Sequence, residues 1–431
     1  MRGAHNEVVT CGLSDGELLD LVQRRTLGYF WDFGHPASGA ARERSNPVSG
    51  YDHRMTVATG GTGFGIMAMI AGAERGFLSK DAVIERLRRI VGFLREAKTY
   101  HGAFPHFMHG ETGETIAFSE RDDGGDLVET SFLVMGLITA RQYVATFGEI
   151  ELSDQIDRIW HAVEWDWFTR GGREVLFWHW SPRHRWAMNH EVRGWNECLI
   201  TYVLAQASPR YPIPAQVYHR GWAAGPAFRN GNTYFGFELP LGPPLGGPLF
   251  FSHYSFLGLD PRGLRDRYAD YWIQNRNHSL INHAHCVANS HGHAGYSDRC
   301  WGLTACDGDA GYSAFCPDND RGVIAPTAAL SAMPYIPELS MRALRHFYEA
   351  LGARIWGEFG FLDAFNQSAG WVAPSNLAID QGPIVVMIEN HRSGLLWNLF
   401  MSAPEIRGAL MRLDFESPHL EKVEDSRPAF V

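Results

Sequence analysis

Helical periodicity dominates the distribution of apolar positions. Val83, Leu87, Ile90, Val91 and Leu94 recur at offsets 0, 4, 7, 8 and 11 behind Ser79, the pattern of an amphipathic helix opened by a serine cap. Ser14 precedes Leu18, Leu19, Val22 and Leu27 in the same way, and the stretch from Gly63 to Gly76 carries Phe64, Ile66, Met67, Met69 and Ile70. Further helical patterns run through 126–147, 153–165, 196–207, 261–275, 326–333, 337–351, 382–401 and 404–413. Proline at or near several of these starts suits a first helical turn. Strand signals are few; 174–178 and 233–239 read as small ribbons on loops. About eleven helices without βαβ alternation predict an all-α architecture, for which a toroid of paired helices suits long loops gathered at one end. No internal repeat is visible, which argues against a solenoid. No polar or proline-rich linker divides the middle. Residues 14–413 are therefore expected to form one domain, with 1–13 and the polar tail 416–431 loosely held.

At 431 residues the chain is long enough to bury a core without covalent staples. A formal charge of −10, with no run of Lys or Arg, makes nucleic acid and anionic membrane poor partners. No apolar stretch approaches the roughly 20 residues that span a bilayer. Residues 1–13 lack the hydrophobic run of a signal peptide, which leaves the cytoplasm, or the periplasm and exterior if a leader was removed. The six cysteines match no zinc spacing, so free buried thiols are expected, with one disulfide open to an exported protein. A monomer is expected.

Candidate chemistry concentrates at three helix starts. Asp122, Asp123, Asp126 and Glu129 fall within eight residues beside Gly124-Gly125, directly ahead of an apolar run. Acids suit a helix N-terminus, which accounts for one or two of them; crowding also raises carboxyl pKa values. The glycine pair further permits a tight bend or a close approach to a ligand, so the segment reads as the wall of a cleft. Asn196 can cap the next helix, with Glu197 at its first position and Trp195 alongside. An aromatic neighbour can desolvate a carboxyl group and keep it protonated as a general acid, although a dipole role fits Glu197 equally. Asp380 stands ahead of a long apolar helix, either as a plain N-cap or as a third reactive acid. Gln381, Asn376 and Asn390 supply neutral polar groups suited to hydroxyl-rich ligands.

Aromatic residues make up 13% of the chain and crowd the loops, including Trp178, Trp180, Trp186, Trp195, Trp301 and Trp371. Such faces stack on sugar rings, though about half should belong to the core. The stretch 277–293 holds five histidines, with His283, His285, His291, His293 and Cys286 as conceivable metal ligands. No acid ligand accompanies them, so hydrogen bonding is the preferred reading and no metal or cofactor is expected. The run Gly60-Gly61-Thr62-Gly63-Phe64-Gly65 lacks the context of a phosphate loop and reads as a close-approach turn into a helix.

Tyr29-Phe30-Trp31-Asp32-Phe33, Ala41-Arg42-Glu43-Arg44, Thr59 to Gly65, Asp122 to Thr130, Gly194 to Leu199, Gly247 to Leu259, Leu264 to Tyr268 and Ala378 to Asn390 together resemble one family. It is the bacterial endo-β-1,2-glucanase family of "glucoamylase-like" glycoside hydrolases, similar also to the cyclisation domain of cyclic β-1,2-glucan synthases. The resemblance runs from about Leu18 to Met411. It implies an (α/α)6 barrel with short β ribbons on its loops and endo-hydrolysis of β-1,2-glucan with inversion, releasing sophorose or short oligosaccharides. It implies Glu197 as general acid and Asp380 as a base, with Asp122, Asp126 and Glu129 lining the catalytic cleft. Arg44, Trp178, Trp180, Trp186, Trp195, Asn196, His253, Tyr254, Trp301, Trp371 and Gln381 are the expected glucan-binding residues. A retaining transglycosylase and a non-catalytic glucan-binding protein are the alternatives.

Overall fold

Two kinds of helix alternate along the chain in the computed structural model, which describes residues 12–47 and 51–421. Thr59–Glu74, Leu127–Ala145, Leu199–Ala207, Pro326–Ser331 and Ala378–Arg392 are buried on nearly every face, as helices that are apolar all round must be. Asp15–Trp31, Lys80–Glu96, Ile150–His161, Tyr271–Ala288 and Pro337–Arg345 bury one stripe and leave the other face to solvent. The architecture is all-α. Helix Thr59–Glu74 packs against both Leu127–Ala145 and Ala378–Arg392; these contact Leu199–Ala207 and Pro326–Ser331 in turn. The outer helix Asp15–Trp31 lies across Thr59–Glu74 and Ala378–Arg392.

Glycine sets the closest of these contacts. A Cβ on Gly63 would fall 2.2 Å from the Phe132 carbonyl oxygen, and one on Gly136 would fall 2.2 Å from that of Gly63. The glycine run at 60–65 therefore forms the first turns of a helix, pressed against its neighbour, rather than a turn ahead of it. The apolar interior is continuous from Leu18 to Phe415, with a small second cluster of Cys306, Phe315, Val323, Ala325 and Ala364. Among the described residues no helix is long and apolar enough to cross a membrane.

Several element boundaries differ from the periodicity. The helix expected at 261–275 begins only at Tyr271, where Asp270 accepts the Ile273 N–H at 3.0 Å, and it continues to Ala288. Most of the histidine-rich stretch is thus helical. His278 contacts Ser252 Oγ and the Gly247 carbonyl, and His285 contacts Asp320, so the hydrogen-bonding reading fits. The pattern at 382–401 is two helices, Ala378–Arg392 and Leu395–Met401, broken at Gly394 with φ +69°. The ribbon expected at 174–178 forms one step later, where His179–Trp180 pairs with Gly125–Asp126. The second ribbon is the hairpin Arg229–Tyr234 and Phe237–Leu241.

Cys198, Cys286, Cys300, Cys306 and Cys316 are free thiols. Cys11 and most of the terminal segments expected to be loose lie outside the described residues. Within them, Glu416 exchanges two backbone hydrogen bonds with Arg265.

Candidate active site

Four acids from two separate stretches face one cavity of about 510 Å³: Asp122, Asp126 and Glu129 from the start of helix Leu127–Ala145, and Glu197 from the loop before Leu199–Ala207. Glu43, Arg44, Tyr51, His106, Trp178, His190 and Tyr254 complete its polar and aromatic wall. Phe118, Met188 and Tyr312 line it too while remaining substantially exposed, which places apolar faces where a ligand enters.

Asp126 is the anchor. It caps the helix through Oδ1, which accepts the Val128 and Glu129 N–H groups at 3.0 and 2.9 Å. Its Oδ2 lies 2.9 Å from His106 Nδ1 and accepts Trp178 Nε1–H at 3.2 Å. Four partners occupy the carboxylate and tie the helix start to two loops. Burial opposes a charge on His106, but the surrounding carboxylates of Glu129, Asp126 and Asp122 outweigh it and push its pKa up to about 9. His106, Asp122 and Asp126 also present ligand atoms within 4.8 Å of one another. His106 Nδ1 and Asp126 Oδ2 already engage each other at 2.9 Å, a contact that a metal would have to displace together with the imidazole proton.

The other three acids are buried with fewer donors. Glu129 accepts the Gly60 N–H at 2.8 Å, and burial raises its pKa despite His106 nearby. Asp122 Oδ1 lies 3.1 Å from His179 Nε2, a nitrogen that already accepts the Gly124 N–H at 3.2 Å. Asp122 Oδ1 has no hydrogen-bond donor of its own, and burial and then Asp126 push its pKa up to about 7. Glu197 is 8% exposed, and burial followed by repulsion from Glu129 and Asp126 raises it to about 7 against the opposing pull of its own backbone N–H. Its loop is held by Ser255 Oγ, which donates to the Glu197 carbonyl, and by Asn196 Oδ1, which accepts the Cys198 N–H at 3.0 Å and Trp222 Nε1–H at 3.2 Å. The helix itself is capped by Cys198, so Glu197 precedes it rather than opening it.

Asp380 sits in the first turn of Ala378–Arg392, whose N-cap is Leu377, so it is not the capping residue. It lies behind the cavity wall, and electrostatically Tyr254, a lining residue, faces both Asp380 and Glu197. Neither Asp380 oxygen meets a donor.

The Glycoamylase family model matches residues 189–404, which include the Glu197 loop and the Asp380 helix. The chain belongs to the Glycoamylase family. It is similar to an exo β-1,2-glucooligosaccharide sophorohydrolase (non-reducing end) of Parabacteroides distasonis, with 44% identity over 427 residues. That match covers 94% of this chain but 58% of the curated relative, so the chain spans a little over half of that protein's length. A solved endo-β-1,2-glucanase from Chitinophaga pinensis, in complex with sophorotriose and glucose, is 50% identical with a TM-score of 0.92, covering 95% of this chain and all of the other. A solved β-1,2-glucanase from Parabacteroides distasonis is 44% identical with a TM-score of 0.90, over 94% of this chain and 61% of that one.

Among the remaining candidate residues of this Glycoamylase chain, Arg44, Trp178 and Tyr254 line the cavity. Trp195 and Trp301 do not: both are interior residues, Trp195 packed on Trp222 and Tyr271 with ring centroids 5.7 Å away. Trp195 thus serves the core rather than the cavity lining. His253 is buried beside Tyr335, and Gln381 spends its amide on the Phe359 and Phe361 carbonyls. Asn196 shapes its own turn. Trp180, Trp186 and Trp371 lie outside the lining, in a cluster with Trp167 for the first two and against the small second core for the third. Conversely, His106, Tyr51, Phe118, Met188, His190 and Tyr312 line the cavity without a sequence signal that singled them out, and Phe250 lines it from within the marker Gly247 to Leu259. Glu43 stood within a family marker; it accepts from Tyr51 and Arg44.

Proposed function

We propose that this chain is an inverting glycoside hydrolase that cleaves β-1,2-linked glucan internally, releasing sophorose or short β-1,2-glucooligosaccharides. The observation that carries the reading is the pairing of a buried, protonation-ready Glu197 with further acids around one cavity. The identity to relatives named for β-1,2-glucans supports the substrate. Glu197 gives its proton to the glycosidic oxygen as the linkage breaks.

The base must take a proton from water on the opposite side of the sugar ring. Asp126 is occupied by four partners and Glu129 is bound to Gly60, while Asp122 stands 3.1 Å from His179 with Oδ1 unbonded. Asp380 has no donor on either oxygen, which favours it as the base, reached through a substrate hydroxyl or a water. Arg44, Trp178 and Tyr254 would hold the glucan, with Phe118 and Tyr312 as stacking faces at the mouth.

The alternation of buried and amphipathic helices supports a closed (α/α)6 toroid, and the unbroken interior from Leu18 to Phe415 supports one domain over 14–413. Incubation with linear β-1,2-glucan, beside laminarin, cellulose and starch, tests the function. Reducing ends should appear from the first polymer alone; hydrolysis of starch in its place would overturn the assignment.

A further inference from the structure

We infer that Asp363 is a positioning residue for Asp380: the two buried carboxyls share one proton, and Asp363 receives it when Asp380 takes a proton from water. The inference rests on the reading of Asp380 as the base. Asp363 lies between the short strands Gly360–Phe361 and Phe365–Asn366, outside every acid-bearing motif of the sequence, and is 5% exposed; Asp380 is 3% exposed.

Their surroundings leave one arrangement. Neither oxygen of Asp380, nor Oδ1 of Asp363, meets an N–H or O–H donor from the rest of the protein. Each carboxyl is a side-chain neighbour of the other, an interaction that pushes Asp380 up and draws Asp363 down. Two carboxylates in contact repel unless a proton lies between them. The pair is asymmetric, because Asp363 Oδ2 accepts the Asp307 N–H at 2.7 Å. Arg44 adds positive charge near both and is fixed by Asp307 Oδ2 at 2.9 Å. Asp363 is therefore the better anion, and the shared proton resides on Asp380. Asp307, Tyr254, Tyr312 and Cys306 also face Asp380, and Tyr29 faces Asp363; none brings a cation, and burial followed by mutual repulsion raises Asp380 well above the usual carboxyl range.

An acid that already holds a proton cannot act as a base unless that proton moves. As water attacks the anomeric carbon, its proton passes to Asp380 through the relay, and the proton on Asp380 shifts to Asp363. The new C–O bond forms, the glycosidic C–O bond breaks, and the leaving oxygen takes the Glu197 proton. The pair goes from one negative charge to none while Glu197 goes from neutral to negative, so charge and protons balance.

Infrared difference spectra of the wild type against Asp380→Asn, at about pH 8 and without substrate, read the pair directly. A protonated carboxyl band belonging to Asp380 is expected, and a carboxylate band in its place would overturn the inference. In an Asp363→Asn background, the Asn amide donates to Asp380 and the same difference should show a carboxylate. Asp363→Asn should also lower kcat about 10-fold or more with little change in KM, and move the acidic limb of the pH profile downward. An unchanged band and limb in that variant contradict the pairing. Release of reducing ends from β-1,2-glucan by the wild type tests the underlying assignment separately.

Discussion

The Gly60 N–H donates to Glu129 Oε2 at 2.8 Å, and a Cβ on Gly60 would stand 2.7 Å from that same oxygen. Absence of a side chain at one helix start thus sets the position of an acid on the next helix. Gly60→Ala must push the Glu129 carboxyl away. A displacement of this kind near reacting atoms costs about 100-fold in rate. Kinetics on β-1,2-glucan should show that loss in kcat, with a thermal midpoint lowered only slightly.

Gly63 makes the contrasting case. Its Cβ would meet the Phe132 carbonyl at 2.2 Å, and backbone cannot swing aside as a carboxylate can. Gly63→Ala should therefore act on stability, by about 1–3 kcal/mol or more from overpacking. Denaturant melts would reveal it as a lower midpoint, and a variant as stable as the wild type would mean that the two helices are not in this contact.

The raised pKa of Glu197 has a consequence for stability with a definite sign. The folded value, about 7, exceeds the ordinary glutamate value of 4.5, so the native state binds the proton more tightly than the unfolded chain. That contribution is complete below the unfolded value and disappears as pH rises through about 7. Glu197→Gln, neutral at every pH, should melt near the wild-type temperature at about pH 4 and above it at about pH 8. Equal melting temperatures at both would show that Glu197 is not buried as described.

Chelators should leave activity intact. His106 Nδ1 faces Asp126 Oδ2 at 2.9 Å, and its pKa of about 9 keeps both ring nitrogens protonated at neutral pH. Treatment with EDTA followed by assay checks this, and activity restored only by an added divalent ion would refute it.

What the sequence disclosed follows from what each residue requires locally. The acids from Asp122 to Glu129 announced a helix start because its free N–H groups favour negative charge, and the apolar run behind them marked the helix; that Asp126 is the cap came from the fold. Val83 to Leu94 were placed on the correct face because a half-buried helix repeats at its own period. Asp363 and His106 stand in loop and short-strand segments where no period operates, and only the fold brings them to Asp380 and Asp126. Trp195 and Trp301 show the opposite failure: residue type suggested a sugar platform, but a large aromatic ring serves a core equally well, and packing decides. The helix through the histidine-rich stretch was missed for a related reason. Its buried His278, Asn282 and His285 look polar in sequence, yet each finds a partner inside the protein.

The central claim is that Glu197 protonates the glycosidic oxygen while water attacks from the opposite face. Time-resolved NMR of linear β-1,2-glucan with the wild type and with Glu197→Gln tests it most directly. The wild type should release products that are first seen as the α-anomer, and the folded variant should lose about 100-fold or more of that rate. Products appearing first as the β-anomer, or near wild-type turnover in Glu197→Gln, would contradict it.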